Sequence, residues 1–199
     1  MARLTIQPFA ARAVSSAQRS RTLEFAMQAG IVIGASLFVA LCARVTVPLP
    51  FTPVPLTLQN FGVLAVALLL GSRRGFAALA LYLAEGAAGL PVFNPSGLGG
   101  ILQLTGATGG FLMAYPFVAF VAGWIYERSS RRFEWALLAG VAGEIVLFMG
   151  GLGWLFVITH SLAQTVRWGL YWFVFAEVIK IMLAAGTASA RNRRFSGRV

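Results

Sequence analysis

An acid and a base lie three residues apart in the last apolar segment of the chain. Glu177 and Lys180 fall within the hydrophobic run 171–185, and Lys180 is the only lysine in the sequence. Residues at this spacing face the same side of a helix, so the pair can offer an acceptor and three donors to one cavity. Ionisable groups in membrane segments are costly to bury and often functional. The pair is therefore a candidate binding site, with a structural ion pair between helices as the alternative.

The composition is that of a membrane protein. Of the 199 residues, 58% are hydrophobic and 11% are charged, and the mean hydropathy is +0.79. Such a chain has too little polar surface to coat a soluble globule. The net charge of +10 would suit nucleic acid, but the arginines cluster where apolar runs end instead of lining one face, which argues against that partner. Cys42 and His160 are the only residues of their types, so we expect no internal disulfide, no His/Cys metal site and no cofactor.

Six apolar segments predict an all-α integral membrane protein with six transmembrane helices. The segments are 23–43, 57–71, 75–88, 106–126, 134–158 and 165–189. They form a membrane domain, 23–190, between a basic N-terminal tail, 1–22, and a basic C-terminal tail, 191–199. The second and third segments are short, because about 14 helical residues cover only about 21 Å of a hydrocarbon core of about 30 Å. Loop residues must therefore dip into the protein to complete these two crossings.

The distribution of arginine predicts the orientation. With six crossings and a cytoplasmic N-terminus, thirteen arginines fall on the inner side and only Arg44 and Arg167 on the outer side. Five or seven crossings would spoil this positive-inside asymmetry, so we expect both termini in the cytoplasm. The basic, acid-free stretch 1–22 is typical either of a tail attracted to anionic lipid or of an organellar transit peptide.

The first outer loop, residues 45–59, contains four prolines within eight residues. Such a run forbids a helix and favours extended polyproline II, whose backbone needs protein or a cavity to satisfy it at membrane depth. The loop is therefore either a lid over a cavity or a rigid connector. Its polar candidates for ligand contact are Thr52, Thr57 and Gln59.

The second outer loop, residues 89–105, carries no charge. Asn94 precedes Pro95, which favours a turn, and Gly97, Gly99 and Gly100 would permit close backbone approach to a ligand. We therefore expect a neutral, partly apolar ligand. The chain has no GxxxxGK[ST] motif, so it cannot hydrolyse ATP through a P-loop.

Two further acids lie inside predicted segments. Glu85 could line the same cavity or cap a helix end, whereas Glu144 is expected to pack between helices or bind water. Glu177 would lie about 18 Å along a continuous last helix, so a cavity that reaches it from outside must extend about halfway through the bundle.

Small residues in the first segment predict close helix packing. Gly30 with Gly34, and Ser36 with Ala40, form small-xxx-small pairs that admit another helix, either of this chain or of a partner protein. The GATGG run at 106–110 should open the fourth helix, and Pro116 should kink it.

Four motifs occur in an order that resembles the BioY family, the biotin-binding S components of energy-coupling factor (ECF) transporters. They are PLPFTPVPLTLQ, GLPVFNPSG, LTGATGGFLMAYPFVAFVAGW and EVIKIMLA, and the resemblance covers about residues 25–190. It implies a six-helix S-component bundle with an outward pocket capped by the loop after the first helix. It also implies biotin as the transported ligand, a bacterial cytoplasmic membrane, and a transmembrane coupling subunit with two ATPase subunits as partners.

The resemblance also implies site residues. The family's Asp-x-x-Lys motif corresponds to Glu177 and Lys180, so the acid here is one methylene longer, and Asn94 corresponds to a polar contact from the family's loop. The complete predicted binding set is Lys180, Glu177, Asn94, Gln59, Thr52 and Glu85. The usual GPTGG is GATGG here. Small residues of the first helix dock the coupling subunit in the family, which implicates Ser36 and Ala40, with Gly30 and Gly34 in the same stretch.

Biotin suits this set because its ureido group has two N–H donors and one carbonyl acceptor. We expect the ureido ring to lie deep against Glu177, Lys180 and Asn94, with the carboxylate near the mouth. The reverse pose, dethiobiotin as the ligand and a homo-oligomer all stay open.

Two other functions were weighed against this one. A stand-alone proton-coupled transporter would protonate Glu85, Glu144 or Glu177, but no internal repeat supports it. An intramembrane hydrolase would use Ser96 or Ser161 with His160, but the chain has no GxSxG elbow and no acid placed to orient the histidine. We therefore expect no enzyme.

Overall fold

All regular structure apart from one short hairpin is α-helical in the computed structural model, which describes the backbone of residues 7–196 and the side chains of residues 21–191. The elements are α1 (Gln7–Arg44), β1 (Thr46–Val47), β2 (Leu56–Thr57), α2 (Gln59–Leu70), α3 (Ser72–Ala87), α4 (Gly100–Thr105), α5 (Gly109–Glu127), α6 (Phe133–Thr159), α7 (Leu162–Gly169) and α8 (Val174–Ser196). α1 thus begins inside the predicted tail, while residues 1–6 and 197–199 of the two predicted tails lie outside the described residues.

The described part of the chain contains three helices that are long and apolar enough to cross a membrane. These three helices are residues 21–44 of α1, α5 and α6. α7 and α8, which are bent by 44° relative to each other, form a fourth span if together they make a single crossing. α2 has only 12 residues, about 18 Å of helix, and α3 has 16. The protein is therefore an all-helical, multi-pass membrane protein, with the second and third segments short as predicted.

α2 occupies the centre of the bundle. It packs against α1, α3, α5 and α8, and Val63, Leu64 and Ala67 are fully buried. A helix that is apolar on all sides is expected to be surrounded by protein. The polar residues at its N-terminal end are thereby held inside the molecule.

The most extensive helix pair, α5 with α6, depends on glycine. A Cβ atom at Gly110 would lie 2.2 Å from Cβ of Trp154 and 2.5 Å from the carbonyl oxygen of Gly150. The two helices are therefore in direct contact at this level. α5 itself begins at Gly109, three residues later than predicted, and continues through Pro116.

The two small-residue pairs of α1 face different surroundings. Ser36 and Ala40 are buried, and the Ser36 hydroxyl donates a hydrogen bond to the Glu85 carboxylate of α3. Gly30 and Gly34 are exposed, with open space where a Cβ atom would project. Ser36 thus packs against a helix of this chain, whereas Gly30 and Gly34 are the members of the predicted docking set that face outward.

The prediction of one continuous helix over 165–189 is wrong. α7 ends at Gly169, Leu170 leaves the helical region with φ −120° and ψ −56°, and the N–H of Tyr171 bonds back to the Val166 carbonyl at 3.0 Å. Gly169 is pressed against α6, since a Cβ atom there would lie 2.7 Å from Leu152 and from Leu155. Consequently Glu177 lies in the first turn of α8, not about 18 Å along one helix.

The proline-rich loop is non-helical, as predicted, but its ends pair with each other. β1 and β2 are antiparallel, with Thr46 opposite Thr57 and Val47 opposite Leu56, and the N–H of Leu58 donates to the Val45 carbonyl at 2.9 Å. This hairpin satisfies the backbone on both sides of the prolines. It also fixes the loop above the N-terminal end of α2.

Five arginines gather at the opposite end of the bundle from this loop. The α2–α3 turn, the α5–α6 loop and the end of α8 surround a basin lined by Arg73, Arg74, Arg128, Arg131 and Arg191. Arg191 also donates to the Leu69 carbonyl at 2.6 Å. Arg44, in contrast, donates to the Pro91 carbonyl in the second loop.

Candidate functional site

A cavity lies beneath the two predicted outer loops, between α2, α5, α6 and α8. Small-molecule sites typically combine apolar walls with a few convergent polar groups. The walls here have that character. They are formed by Val54, Pro55, Thr57, Gln59, Asn60, Asn94, Thr108, Phe111, Leu112, Tyr115, Leu147, Phe148, Phe173, Glu177 and Lys180.

The predicted Glu177–Lys180 pair contributes the charged groups of this cavity. Nζ of Lys180 donates to Oε1 of Glu177 at 2.7 Å, and the two residues are only 7% and 6% exposed. The ammonium group has three N–H bonds, and among the described residues the protein engages only one of them. Two charged donors are therefore available to a ligand.

Asn60, which is not among the residues predicted from the sequence, holds the other side of the Glu177 carboxylate. Its Nδ2 donates to Oε2 of Glu177 at 2.5 Å and also to Oε1 of Glu144. Asn60 is buried at the start of α2, so it connects α2 with α6 and α8. The sequence did contain a signal for this role, because Gln59 and Asn60 are adjacent polar residues at the start of an otherwise apolar helix.

Gln59 also lines the cavity, as predicted, and is bonded to α3. Its Nε2 donates to the Tyr82 hydroxyl at 2.7 Å, and that hydroxyl donates to the Val92 carbonyl at 3.0 Å. Tyr82 is fully buried and packs edge-on against Phe93, with ring centroids 5.4 Å apart. This chain of bonds connects the cavity wall to the second loop.

Replacing Tyr82 by phenylalanine is expected to destabilise the fold. The ring contact with Phe93 is kept, but the buried Val92 carbonyl loses its donor and the Gln59 amide loses its acceptor, at a cost of about 1–3 kcal/mol. Thermal unfolding of the detergent-purified variant measures the change. Tyr171→Phe, at an exposed ring, is the matched control, and equal midpoints for the two variants would contradict the expected role.

Asn94 lines the cavity from the second loop, in the turn predicted at Asn94–Pro95. Its Oδ1 accepts from the N–H of Ser96 at 3.1 Å, and the N–H of Gly97 bonds to its carbonyl at 3.3 Å. Nδ2 of Asn94 has no partner among the described residues, although the residue is buried. The side chain therefore presents an amide donor to the cavity.

The glycines of this loop serve the protein itself. Gly97 packs against the Gln103 side chain, where a Cβ atom would lie 2.5 Å from its Cδ atom. Gly99 and Gly100 have φ of +70° and +58°, values that favour glycine. None of the three lines the cavity, and the close approach of their backbone to a ligand stays a prediction.

Thr52 and Glu85, also in the predicted binding set, do not line the cavity. The Thr52 hydroxyl donates to the Trp168 carbonyl at 2.8 Å and accepts from the N–H of Val54 at 3.2 Å. Glu85 accepts from Ser36, which joins α3 to α1. Thr52 thus ties the proline-rich loop to α7, and Glu85 ties two helices.

Replacing Thr52 by valine should loosen the proline-rich loop. Valine keeps the shape of the side chain but removes the bond from Thr52 to the Trp168 carbonyl of α7, so amide hydrogen exchange over residues 49–54 should accelerate. Ligand affinity should fall by about threefold to tenfold, as expected for the loss of one neutral hydrogen bond. Thr105→Val is the control, because that hydroxyl bonds only within α4. Unchanged exchange in Thr52→Val would refute the tether.

The residues weighed for hydrolysis are used structurally. His160 is exposed and ends α6 in a left-handed conformation, with φ of +49°. Ser161 caps α7 by accepting from the N–H of Gln164 at 3.4 Å. Over the described part of the chain, no group of three or more His, Cys, Asp or Glu side chains is arranged to hold a metal ion.

Comparison with known proteins assigns the family. The model of the BioY family matches residues 13–197. The chain is 37% identical over 155 residues to the biotin transporter BioY of Thermotoga maritima, a match that covers 77% of this chain and 90% of the relative. It is 33% identical over 159 residues to the biotin transporter BioY of Rhizobium etli, with coverages of 76% and 84%.

A solved structure shares the fold. The crystal structure of the S-component for biotin from an ECF-type ABC transporter superposes with a TM-score of 0.74, over 88% of this chain and 93% of that one, at 24% identity. At that identity the likeness establishes architecture alone. Since the family model spans nearly the whole chain, and both relatives are matched over most of their length, this protein belongs to the BioY family.

Proposed function

We propose that this protein is the biotin-binding S component of an ECF-type transporter. It captures biotin at the outer face of the bacterial cytoplasmic membrane and delivers it inward together with a transmembrane coupling subunit and two ATPase subunits. One observation carries the proposal: the buried Glu177–Lys180 pair faces a cavity whose other polar groups include Asn94 and Gln59. The curated relatives are named biotin transporters, and the protein is a transporter and not an enzyme.

The free groups of the cavity complement the ureido ring. Lys180 has two N–H bonds and Asn94 one amide nitrogen to donate to the ureido carbonyl, while the Glu177 carboxylate accepts from a ureido N–H. Phe111, Phe148 and Phe173 give an apolar wall to the thiophane ring and the alkyl chain. The carboxylate of biotin then lies towards the proline-rich loop.

Biotin methyl ester separates this pose from its reverse. With the ureido ring deep, the ester should bind with an affinity close to that of biotin, because its altered end lies near the mouth. With Lys180 paired to the carboxylate, esterification would remove the charge that Lys180 binds and should abolish affinity. Competition against labelled biotin measures the difference, and the same assay with dethiobiotin, which shares the ureido group, ranks the two ligands.

The membrane orientation follows from the same proposal. The arginine basin between the α2–α3 turn, the α5–α6 loop and the end of α8 is the cytoplasmic end, and the cavity is the outer end. Six crossings result when α2 and α3 each count as one short passage and α7 with α8 as one bent passage. Both termini then lie in the cytoplasm.

The coupling subunit is expected to contact the outward face of α1. Gly30 and Gly34 are exposed with open space above them, so a helix of the partner can approach the backbone there. Ser36 and Ala40, which are buried in this chain, would support that face from within. Whether S components of this kind form homo-oligomers is a separate matter of assembly.

Reconstitution tests the proposed division of labour. Purified protein in liposomes should bind external biotin but should not accumulate it, with or without a pH gradient, because ATP-driven delivery needs the partner subunits. Adding the coupling and ATPase subunits with ATP should start accumulation. Uptake by the protein alone, driven by a pH gradient, would contradict the proposal and favour a proton-coupled secondary transporter.

A further inference from the structure

Glu144 is a buried acid that the proposed ligand contacts do not use. It lies in the middle of α6, is 5% exposed and does not line the cavity. Its Oε1 accepts from Nδ2 of Asn60, while its Oε2 has no hydrogen-bond partner among residues 21–191, whose side chains the structure describes. Within the same residues, Oδ1 of Asn60 is buried without a partner as well. Two orphaned acceptors thus lie directly behind the Glu177 carboxylate.

The local charges do not balance if both carboxyl groups are ionised. Lys180 is the one cation in this cluster, and it donates to Glu177. The other elements around Glu144 supply no second cation: α2 contributes Asn60, α5 contributes the neutral hydroxyl of Tyr115, and the charged residue of α7, Arg167, is exposed at its last turn. Two carboxylates against one ammonium would leave a buried net negative charge, which is costly.

The far side of Glu144 faces an apolar groove. This groove between α6 and α8 is lined mainly by apolar side chains, among them Ile145, Met149, Val178 and Ile181, and its other charged lining residue is Glu177. Such an apolar surface is expected to face hydrocarbon in a membrane. An ionised Glu144 would therefore gain neither solvation nor a cation from that side.

We propose that Glu144 is a positioning residue that keeps its proton, and that Glu144 and Asn60 together hold Glu177 in the arrangement that binds biotin. When Oε2 of Glu144 carries a proton, it can donate a hydrogen bond, and it is no longer a buried acceptor that lacks a donor. Asn60 then gives one N–H to each carboxyl group, so Oε2 of Glu177 is fixed and Oε1 stays on Lys180. The inference rests on the proposed biotin-binding function. The proton stays on Glu144 throughout and is not transported.

The pH dependence of binding follows from this arrangement. Raising the pH until Glu144 loses its proton adds a second negative charge behind the clamp. The new carboxylate competes with Glu177 for Asn60 and Lys180, so biotin affinity should fall at alkaline pH. Glu144→Gln has the same shape and no proton to lose, so its affinity should stay constant over that range. This glutamine variant should bind biotin within about threefold of the wild type at neutral pH, as one exchanged neutral hydrogen bond allows.

Infrared spectroscopy and titration calorimetry test the two halves of the proposal. The wild type should show the carbonyl stretching band of a protonated carboxyl group, Glu144→Gln should lack it, and Glu127→Gln, an acid at the arginine basin, should keep it. Glu144→Leu should bind biotin at least about tenfold more weakly than the wild type, because Asn60 loses its bond to Glu144 and is then held only by Glu177. If Glu144→Leu fails to fold, the band and the wild-type pH profile still decide.

The outcomes are distinct. If the carboxyl band of Glu144→Gln is the same as that of the wild type, Glu144 is not the protonated group. If Glu144→Leu binds biotin with wild-type affinity, Glu144 does not position the site. The positioning role is also overturned if Glu144→Gln loses biotin affinity at alkaline pH as the wild type does. The infrared band can be measured without a ligand. If the wild-type protein shows the band but does not bind biotin, the proposed function is wrong, and the positioning role is then wrong as well.

Discussion

Replacing Lys180 by alanine is expected to lower biotin affinity by about a hundredfold. Hydrogen bonds from a charged group contribute about 1.5–3 kcal/mol each, and 1.4 kcal/mol corresponds to a tenfold change. The variant loses the two free donors of the ammonium group and also leaves the buried Glu177 carboxylate without its cation, 2.7 Å away in the wild type.

The controls separate charge from packing. Lys180→Met keeps most of the aliphatic stem and should lose nearly as much affinity as the alanine variant, because the lost interaction is electrostatic. Ser189→Ala, a buried site two turns further along α8 with no hydrogen-bond partner for its hydroxyl, should bind like the wild type. Calorimetric titration of all four proteins gives the comparison. Equal affinity of Lys180→Ala and the wild type would remove Lys180 from the site while leaving the family assignment intact.

Replacing Gly110 by alanine should give the second large effect, on stability. The new Cβ atom would lie 2.2 Å from Cβ of Trp154 and 2.5 Å from the Gly150 carbonyl, and neither neighbour is the end of a flexible side chain. α5 and α6 must separate, at a cost of about 1–3 kcal/mol. For a chain of this length, each kcal/mol lowers the unfolding midpoint by about 2–4 °C.

Gly153→Ala is the matched control for this prediction. Gly153 lies on α6 and has open space where its Cβ atom would project, so the same substitution should leave the midpoint unchanged or raise it slightly through better helix propensity. Thermal unfolding of the two detergent-purified variants measures the difference. A Gly110→Ala midpoint at or above that of Gly153→Ala would show that the helices do not meet at this contact. Trp154 also donates to the Gly106 carbonyl at 2.9 Å, so a separated pair should disturb the cavity rim as well.

The extra methylene of Glu177 has a physical use in this structure. The family motif implied by the resemblance has aspartate at this position. From the sequence it was open whether the oxygens of the longer glutamate would contact Lys180, a ligand or both. Here Oε1 meets Lys180 and Oε2 meets Asn60. The longer side chain lets one carboxylate contact groups from two helices.

Helix content and the location of the polar pair followed from hydropathy and spacing. The segment predicted at 134–158 is α6, Phe133–Thr159, and the pair at 177 and 180 faces a cavity with Asn94 and Gln59. Long apolar runs are reliable signals because every backbone group in lipid must be satisfied within a helix. The number of crossings and the position of the termini stay predictions.

Tertiary contacts decided the features that the sequence did not reveal. The break after Gly169 contains no proline, and Gly169 packs there against Leu152 and Leu155, a contact that no local pattern encodes. In the sequence, Asn60 is a single polar residue at the start of a helix. Its bonds to Glu144 of α6 and Glu177 of α8 can be recognised only from the folded structure. Ser36 matched a docking pattern, but the helix it meets is α3 of the same chain.

Isothermal titration of the detergent-purified wild-type protein with biotin tests the central claim most directly. The account predicts saturable binding with one site per chain, because the described residues form one cavity that combines the Glu177–Lys180 pair with Asn94 and apolar walls. Folded protein that shows no binding of biotin in this titration would contradict it.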